Sequence, residues 1–184
     1  MQVTSVNYRP DGNLEVLVKA AQQGDRGAFE QLVGRTHKML RKVALPLLPA
    51  SQVEDALQET YVLMFQKLHY LKEPLAFRSW LSRIALSTCY DLLRKAKPSE
   101  TLSDLRGEAV HPEEPLDVVA IRRALAKLKK KDRNILILRE YLDASYEEIG
   151  DILDLSPGTV KSRLFYARKK LKAIVSQDEV LKGF

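Results

Sequence analysis

Apolar residues along this chain recur every three or four positions, the period of a helix with one buried face, and rarely every second position, the period of a strand. Asn13 is placed to cap a helix over 14–23, which Gly24 then breaks, and Asp25 caps the next, where Phe29, Leu32, Val33 and Leu40 repeat at helical spacing. Pro46 and Pro49 end it. Ser51-Gln-Val-Glu54 has the form of a capping box and predicts a helix to about Leu71, with Val53, Leu57, Tyr61, Met64, Phe65 and Leu68 on its apolar face. A longer helix is predicted from about Leu75 to Ala96, with Phe77, Trp80, Leu81, Ile84, Ala85, Thr88, Leu92 and Leu93 inward. Beyond it the spacing predicts four more helices, Leu116–Leu128, Asp132–Tyr141, Ser145–Leu153 and Ser156–Val175. No strand series and no tandem repeat is visible, so the fold class read from the pattern is all-α, in two small bodies, each with a modest core.

Between the bodies the pattern fails. Residues 98–117 hold three prolines, one glycine and six acids against one arginine, so the segment reads as an acidic, flexible linker of net charge −5. The whole 184-residue chain carries +6, which leaves +11 on everything else. Two basic bodies on an acidic tether suggest an acidic partner; the tether itself is either a solvated spacer or a segment that mimics or repels nucleic acid. No apolar run is long enough to span a membrane, and MQVTSVNYRPDGN lacks the form of a secretory leader, so a cytoplasmic protein without membrane insertion is expected. One cysteine (Cys89) and three scattered histidines (His37, His69, His111) predict no metal site, and Cys89 reads as a small buried residue. No catalytic set of paired carboxylates, phosphate loop or nucleophile with base is evident, so neither enzyme activity nor a cofactor is expected.

The most informative stretch is SYEEIGDILDLSPGTVKSRLFYARKKLK at 145–172. Ser145 and Glu148 form a second capping box, and small Gly150 admits a close crossing. Asp154 stands at a turn position suited to left-handed backbone, Ser156 is an N-cap, and Pro157 suits the first helical position. Leu155 and Val160 are expected to be buried on either side of the turn. This is a helix-turn-helix pattern. The helix after the turn carries Lys161, Arg163, Arg168, Lys169, Lys170 and Lys172 with no acid from Pro157 to Lys172, and Phe165 and Tyr166 lie among the cations. Such a helix can neutralise phosphates and offer its leading end to base edges in a major groove, and Arg163 and Lys169 join the DNA-binding candidates on that ground. In the first body Asp55, Gln58 and Glu59 share one helical face beside the apolar one, which suits either plain solvent or a basic protein surface.

Four markers in order carry a family resemblance: GDRGAFEQLV at 24–33, the D-x-x-Q-E at 55–59, F-x-x-W-L-x-x-I-A at 77–85, and the helix-turn-helix stretch. With them the chain resembles the extracytoplasmic-function sigma factors of bacteria, over about residues 14–97 and 116–175. The resemblance implies a promoter-specificity subunit of RNA polymerase with sigma region 2 over 14–97, a linker at 98–115, region 4 over 116–176, and tails at 1–13 and 177–184. It implies that Asp55, Gln58 and Glu59 dock core RNA polymerase at the clamp helices of its largest subunit, with the flap as a further contact. It implies that Lys161, Ser162, Phe165 and Tyr166 read the minus-35 element while Arg139 and Tyr146 hold phosphates. For the minus-10 element it points to the helix after Phe77 and the loop before it, with Arg83, Ser87, Arg94 and Lys95 as candidates; Ser87 stands where many relatives carry Asn. An anti-sigma factor is the implied inhibitor, covering the docking or DNA faces or wedging between the two bodies. Two other classes stay open on the residues alone: a free-standing helix-turn-helix regulator of transcription, and an interaction module that titrates a regulator.

Overall fold

A computed structural model of the chain describes residues 12–96 and 116–177. Eight α-helices are present among the described residues, with no strand: α1 (Gly12–Gln22), α2 (Arg26–Ala44), α3 (Ala50–Lys67), α4 (Phe77–Ala96), α5 (Leu116–Ala126), α6 (Lys130–Leu136), α7 (Tyr146–Leu153) and α8 (Pro157–Gln177).

In the first half α1 packs on α2, α2 on α3 and α4, and α3 on α4. Gly24 makes the α1–α2 turn at φ +93°, a left-handed conformation that a side chain would resist. Asp25 caps α2 as the spacing predicts, its Oδ1 accepting from Ala28 N at 3.0 Å. Asn13 falls inside α1, which begins at Gly12. The start of α3 departs from expectation: its N-cap is Pro49, with no side-chain cap, and exposed Ser51 lies inside the helix. Gln52 N already bonds Pro49 O at 2.9 Å, and Glu54 turns across to pair with Arg41 on α2 instead of folding back on Ser51. After Lys67 the chain tightens into a 3₁₀ turn (Leu68–Tyr70), and a second one (Pro74–Ala76) leads into α4. Gln22 anchors this connection, its Nε2 donating to Leu68 O at 2.9 Å and Leu71 O at 2.7 Å.

In the second half buried Arg133 performs the role of a C-cap. Its guanidinium donates to Leu125 O (2.8 Å), Ala126 O (2.6 Å) and Leu128 O (3.0 Å), satisfying carbonyls that the end of α5 leaves open. The helix predicted over Asp132–Tyr141 is real but mixed: α6 ends at Leu136 and continues as a π turn over Ile137–Tyr141. Asp143 then takes φ 55°, and Ala144 N returns to Leu138 O at 3.1 Å.

The two halves share one apolar core. A single cluster runs from Leu32, Leu48, Leu57 and Leu81 in the first half to Ile135, Ile137, Ile149 and Leu164 in the second. The sequence suggested two modest cores; pooling them buries more apolar surface than either small body could alone.

Candidate nucleic-acid interface

The helix-turn-helix is built from local chemistry. Ser145 Oγ accepts from Glu148 N at 3.1 Å while Glu148 Oε2 accepts from Ser145 N at 2.7 Å, so the capping box closes both ways and fixes the start of α7. Asp154 ends α7 in the left-handed region at φ 56°, ψ 58°. Leu155 N then bonds Gly150 O at 3.0 Å, and a Cβ on Gly150 would stand 2.5 Å from Leu155 O. The need for a small residue therefore comes from the turn's own carbonyl, not from a second helix crossing there. Ser156 opens α8, its Oγ accepting from Thr159 N at 3.3 Å. Val160 and Leu164 are fully buried and Leu155 half-buried, which seats α8 by one edge.

The opposite edge of α8 faces solvent. Lys161, Ser162, Phe165, Tyr166 and Lys169 are exposed; Arg163 is half-buried. Phe165 and Tyr166 are 64% and 58% exposed, unusual for rings of that size, and meet edge to face at 5.4 Å between centroids. Lys161, Arg163, Lys169 and Lys172 make no ion pair with any described residue. Tyr146, Lys161, Leu164, Phe165, Arg168, Lys169 and Lys172 line a cleft of about 440 Å³ with an apolar floor and a cationic rim. Arg139 sits beside it in the π turn, donating through Nη1 to Ala144 O at 2.8 Å with its guanidinium 5.6 Å from the centre of the Tyr146 ring. Two further cations of α8, Arg168 and Lys170, belong to the basic run but not to the DNA-contact candidates, and both are engaged by acids. Arg168 is aimed by Glu140, whose Oε1 takes both Nε (2.9 Å) and Nη2 (2.7 Å), and Lys170 is held by Asp132 at 2.5 Å. Those acids lie 28 and 38 positions away, beyond the reach of any local pattern.

The other two residue groups sit on the first half. Asp55 and Gln58 are exposed on α3 and Glu59 is half-buried beside them, so the structure does bring these three to one face. Glu59 pairs with Lys95 of α4 at 3.6 Å. Phe65, expected inward, is 70% exposed; it meets Phe29 edge to face at 5.3 Å on the rim of a cleft of about 730 Å³ at the α1–α2 turn. On α4, Ser87 is exposed, Arg94 pairs with Asp91 at 2.8 Å, and Lys95 is engaged as above. Arg83 does not project freely. Its Nε donates to Ile152 O at 3.1 Å and its Nη2 to Asp151 O, both at the C-terminal end of α7. Phe77 is buried and Trp80 half-buried, as core positions should be. Burial pushes the Cys89 thiol up to about 12, consistent with an inert packing residue. Among the described residues no helix is long and apolar enough to cross a membrane.

Comparison with known proteins places these features. The family model described as "Sigma-70 region 2" matches residues 32–98, and "Sigma-70, region 4" matches residues 119–171. The chain is similar to the RNA polymerase sigma factor NccH of Alcaligenes xylosoxydans xylosoxydans, with 31% identity over 90% of this chain and 96% of that protein. It is similar to the ECF RNA polymerase sigma factor SigM of Mycobacterium tuberculosis, with 32% identity over 86% of this chain and 83% of that protein. Among solved structures it resembles CnrH in complex with the cytosolic domain of CnrY, at a TM-score of 0.73 and 29% identity, covering 91% of this chain and 99% of that one. It also resembles the sigma factor RpoE in complex with the anti-sigma factor NepR from Bartonella quintana, at a TM-score of 0.62 and 26% identity, over 82% and 98%.

Proposed function

This chain belongs to the extracytoplasmic-function (ECF) RNA polymerase sigma factors, and from that membership we propose a division of labour between its two halves. As an alternative sigma factor it directs promoter-specific initiation of transcription by RNA polymerase, and it is an initiation factor rather than an enzyme. The finer assignment is ours. Residues 14–97 act as region 2 and 116–176 as region 4, with 98–115 linking them and 1–13 and 177–184 as tails. Asp55, Gln58 and Glu59 dock the clamp helices of the largest polymerase subunit, and region 4 also meets the flap. Lys161, Ser162, Arg163, Phe165, Tyr166 and Lys169 read the minus-35 element, with Arg139 and Tyr146 on the flanking phosphates. Arg83, Ser87, Arg94 and Lys95 serve the minus-10 element. An anti-sigma factor in the cytoplasm holds the protein inactive by covering these faces.

The observation that carries this reading is the leading face of α8. Two exposed rings stand among cations that no described carboxylate neutralises, on a helix whose frame is locked by two caps. Cations in that state meet phosphates and release counterions, while the rings and Ser162 meet base edges. A solvated face has no use for exposed aromatic rings. Division of labour also fits the energetics. Opening a duplex costs stacking of roughly 1.4 kcal/mol per step, more than a body this small offsets alone, so binding energy drawn from a large polymerase is required. A free-standing regulator would lack the acidic α3 face and would bind its site tightly without polymerase.

Co-elution with bacterial core RNA polymerase tests the assignment. The full chain is expected to bind stoichiometrically, and Gln58→Ala with Asp55→Arg is expected to abolish binding while leaving the helical signal intact. Full binding by that double variant would move docking off α3, and no binding by the folded wild-type chain would sink the polymerase assignment altogether.

A further inference from the structure

Phe165 is 64% exposed in the middle of a face otherwise made of cations and hydroxyls. Lys161 precedes it and Lys169 follows it by four residues each. At a rise of about 1.5 Å per residue, the two lysines leave the helix about 6 Å to either side of the ring, about 12 Å apart. Both are exposed, and neither meets a described carboxylate. A major groove is about 12 Å wide. A helix seated there can set a cation against each row of phosphates and hold the ring over the floor, where the base edges lie. The ring is also held in place. Tyr166 stands edge to face against it at 5.4 Å between centroids, and the neighbouring Leu164 is buried in the core, so α8 cannot roll the ring away. One turn earlier on the same face, Ser162 Oγ donates its proton to Thr159 O at 3.1 Å, which leaves lone pairs for a partner.

We propose that Phe165 reads the C5-methyl group of a pyrimidine, so that the minus-35 element of this protein carries a thymine beneath the ring. This rests on the assignment of α8 to DNA made above and goes beyond it by naming the group that is read. A benzyl side chain has neither donor nor acceptor. In the major groove adenine, guanine and cytosine present ring nitrogens, carbonyls and amino groups, and the thymine methyl is the one apolar group of unmodified DNA there. A ring laid on a polar edge strips its water and returns no hydrogen bond, which disfavours those bases. Laid on the methyl, it removes two apolar surfaces from water at once. Ser162 complements the contact. As an acceptor it meets an exocyclic amino group, and adenine N6 lies in the same base pair as the thymine methyl. A second consequence is chemical. 5-Methylcytosine carries the same methyl in the same place, so this contact also distinguishes methylated from unmethylated cytosine.

The test uses the full chain assembled on core RNA polymerase. Promoters are selected from a randomised duplex library. In a selected minus-35 element each thymine is then replaced in turn by deoxyuridine, which pairs as thymine does and lacks only the methyl. Wild type is expected to lose affinity about three- to fivefold at one thymine or two adjacent ones, the effect of one buried methyl, and to ignore the change elsewhere. At the sensitive position 5-methylcytosine is expected to bind more tightly than cytosine by a similar factor. Phe165→Gln, at an exposed site where folding is not at stake, is expected to bind the thymine and uracil forms alike. Phe165→Leu, which stays apolar, is expected to keep most of the discrimination. The thymine-to-uracil step crossed with Phe165→Gln forms a double-mutant cycle that isolates the contact. Uracil tolerated at every minus-35 thymine would overturn the methyl contact and leave the assignment to DNA standing. So would selected elements without thymine, or a uracil penalty that Phe165→Gln keeps in full. A chain that joins polymerase and selects no DNA would remove the assignment of α8 itself, and the methyl contact with it.

Discussion

Two long basic helices of this protein, α4 and α8, are nearly equal in length, at 20 and 21 residues, and opposite in how they use their charge. On α4 the cations are engaged at home: Arg83 on α7 carbonyls, Arg94 on Asp91, Lys95 on Glu59. On α8 only the inner edge is engaged, Arg168 by Glu140 and Lys170 by Asp132, while Lys161, Arg163, Lys169 and Lys172 meet no described carboxylate. The difference is one of availability rather than strength. Exposed pairs such as those of α4 contribute only about 0–1 kcal/mol each, so a polyanion can displace them. One helix presents cations that no described carboxylate meets, and the other spends its cations on partners within the fold.

The comparison breaks most directly at the frame that seats α8. Leu164 is 1% exposed and lies in the cluster common to both halves. Leu164→Ala is expected to cost about 2–5 kcal/mol, as lost transfer energy plus a cavity. Trp80, the only tryptophan, sits in the first half and reports on it alone. Because the core is continuous, its near-ultraviolet signal should melt in the same lowered transition as the helical signal. A Trp80 transition that stays at the wild-type temperature would show the halves to be energetically separate.

A second break acts on the grip that holds α4. Burial pushes the Tyr90 hydroxyl up from 10.0 to about 12, with the Arg133 cation working in the opposite direction. The folded state therefore keeps a proton that the unfolded chain gives up between those values. That contribution is complete below pH 10 and is lost as pH rises through 12. At about 1.4 kcal/mol per unit it is on the order of 3 kcal/mol. Denaturant titrations between pH 9 and 12 should show wild type losing stability more steeply than Tyr90→Phe. Parallel slopes would mean that the hydroxyl titrates as it does in water. Cys89, raised from 9.0 to about 12 by burial, adds a fall of the same sign to both proteins.

How much of this could be read beforehand depends on the distance over which each feature is determined. Ser145 with Glu148, Ser156, Asp154 and Asp25 act within three or four residues, and all were legible from spacing. Ser51 shows the limit of the same rule, because Glu54 found Arg41 across the α2–α3 interface and the cap was never made. Phe65 obeys the apolar period but stays 70% exposed, with Phe29 of α2 against its ring on one side. The π turn at Ile137–Tyr141 leaves no local signature. The Tyr90–Asn134, Glu140–Arg168 and Arg122–Leu48 contacts join residues 28 to 74 positions apart, so only the fold reveals them. The side chains of the candidate site were visible as types at the right spacing; whether each was free or engaged was not.

The comparison sharpens when the two helices are titrated with salt. With the chain assembled on core polymerase and a duplex fragment bearing the minus-35 element, each cation that meets a phosphate contributes roughly 0.9 to the slope of log K against log salt. Lys161→Ala and Lys169→Ala should each lower the magnitude of that slope by about 1 and weaken binding several-fold at physiological salt. Arg94→Ala, on the engaged helix, should leave the slope on this fragment unchanged. Equal changes from both helices would erase the distinction between a ready face and an engaged one.

The smallest effect concerns the turn on which α8's readiness depends. Asp154 holds φ 56° and ψ 58°, a conformation that costs L-residues roughly 1–2 kcal/mol and that Asn and Asp tolerate best. As the C-cap residue just past α7 it also places a carboxylate at the negative end of the helix dipole, where a cation is preferred. Asp154→Asn keeps the tolerance and removes the charge, so it should stabilise the protein by a few tenths of a kcal/mol, read as a small rise in melting temperature that shrinks at high salt. Asp154→Ala keeps neither advantage and should destabilise by about 1 kcal/mol. The order Asn, Asp, Ala is the discriminating result: backbone strain alone ranks Asn and Asp together, and helix-end charge alone ranks Asn and Ala together. Only the two acting at once separate all three.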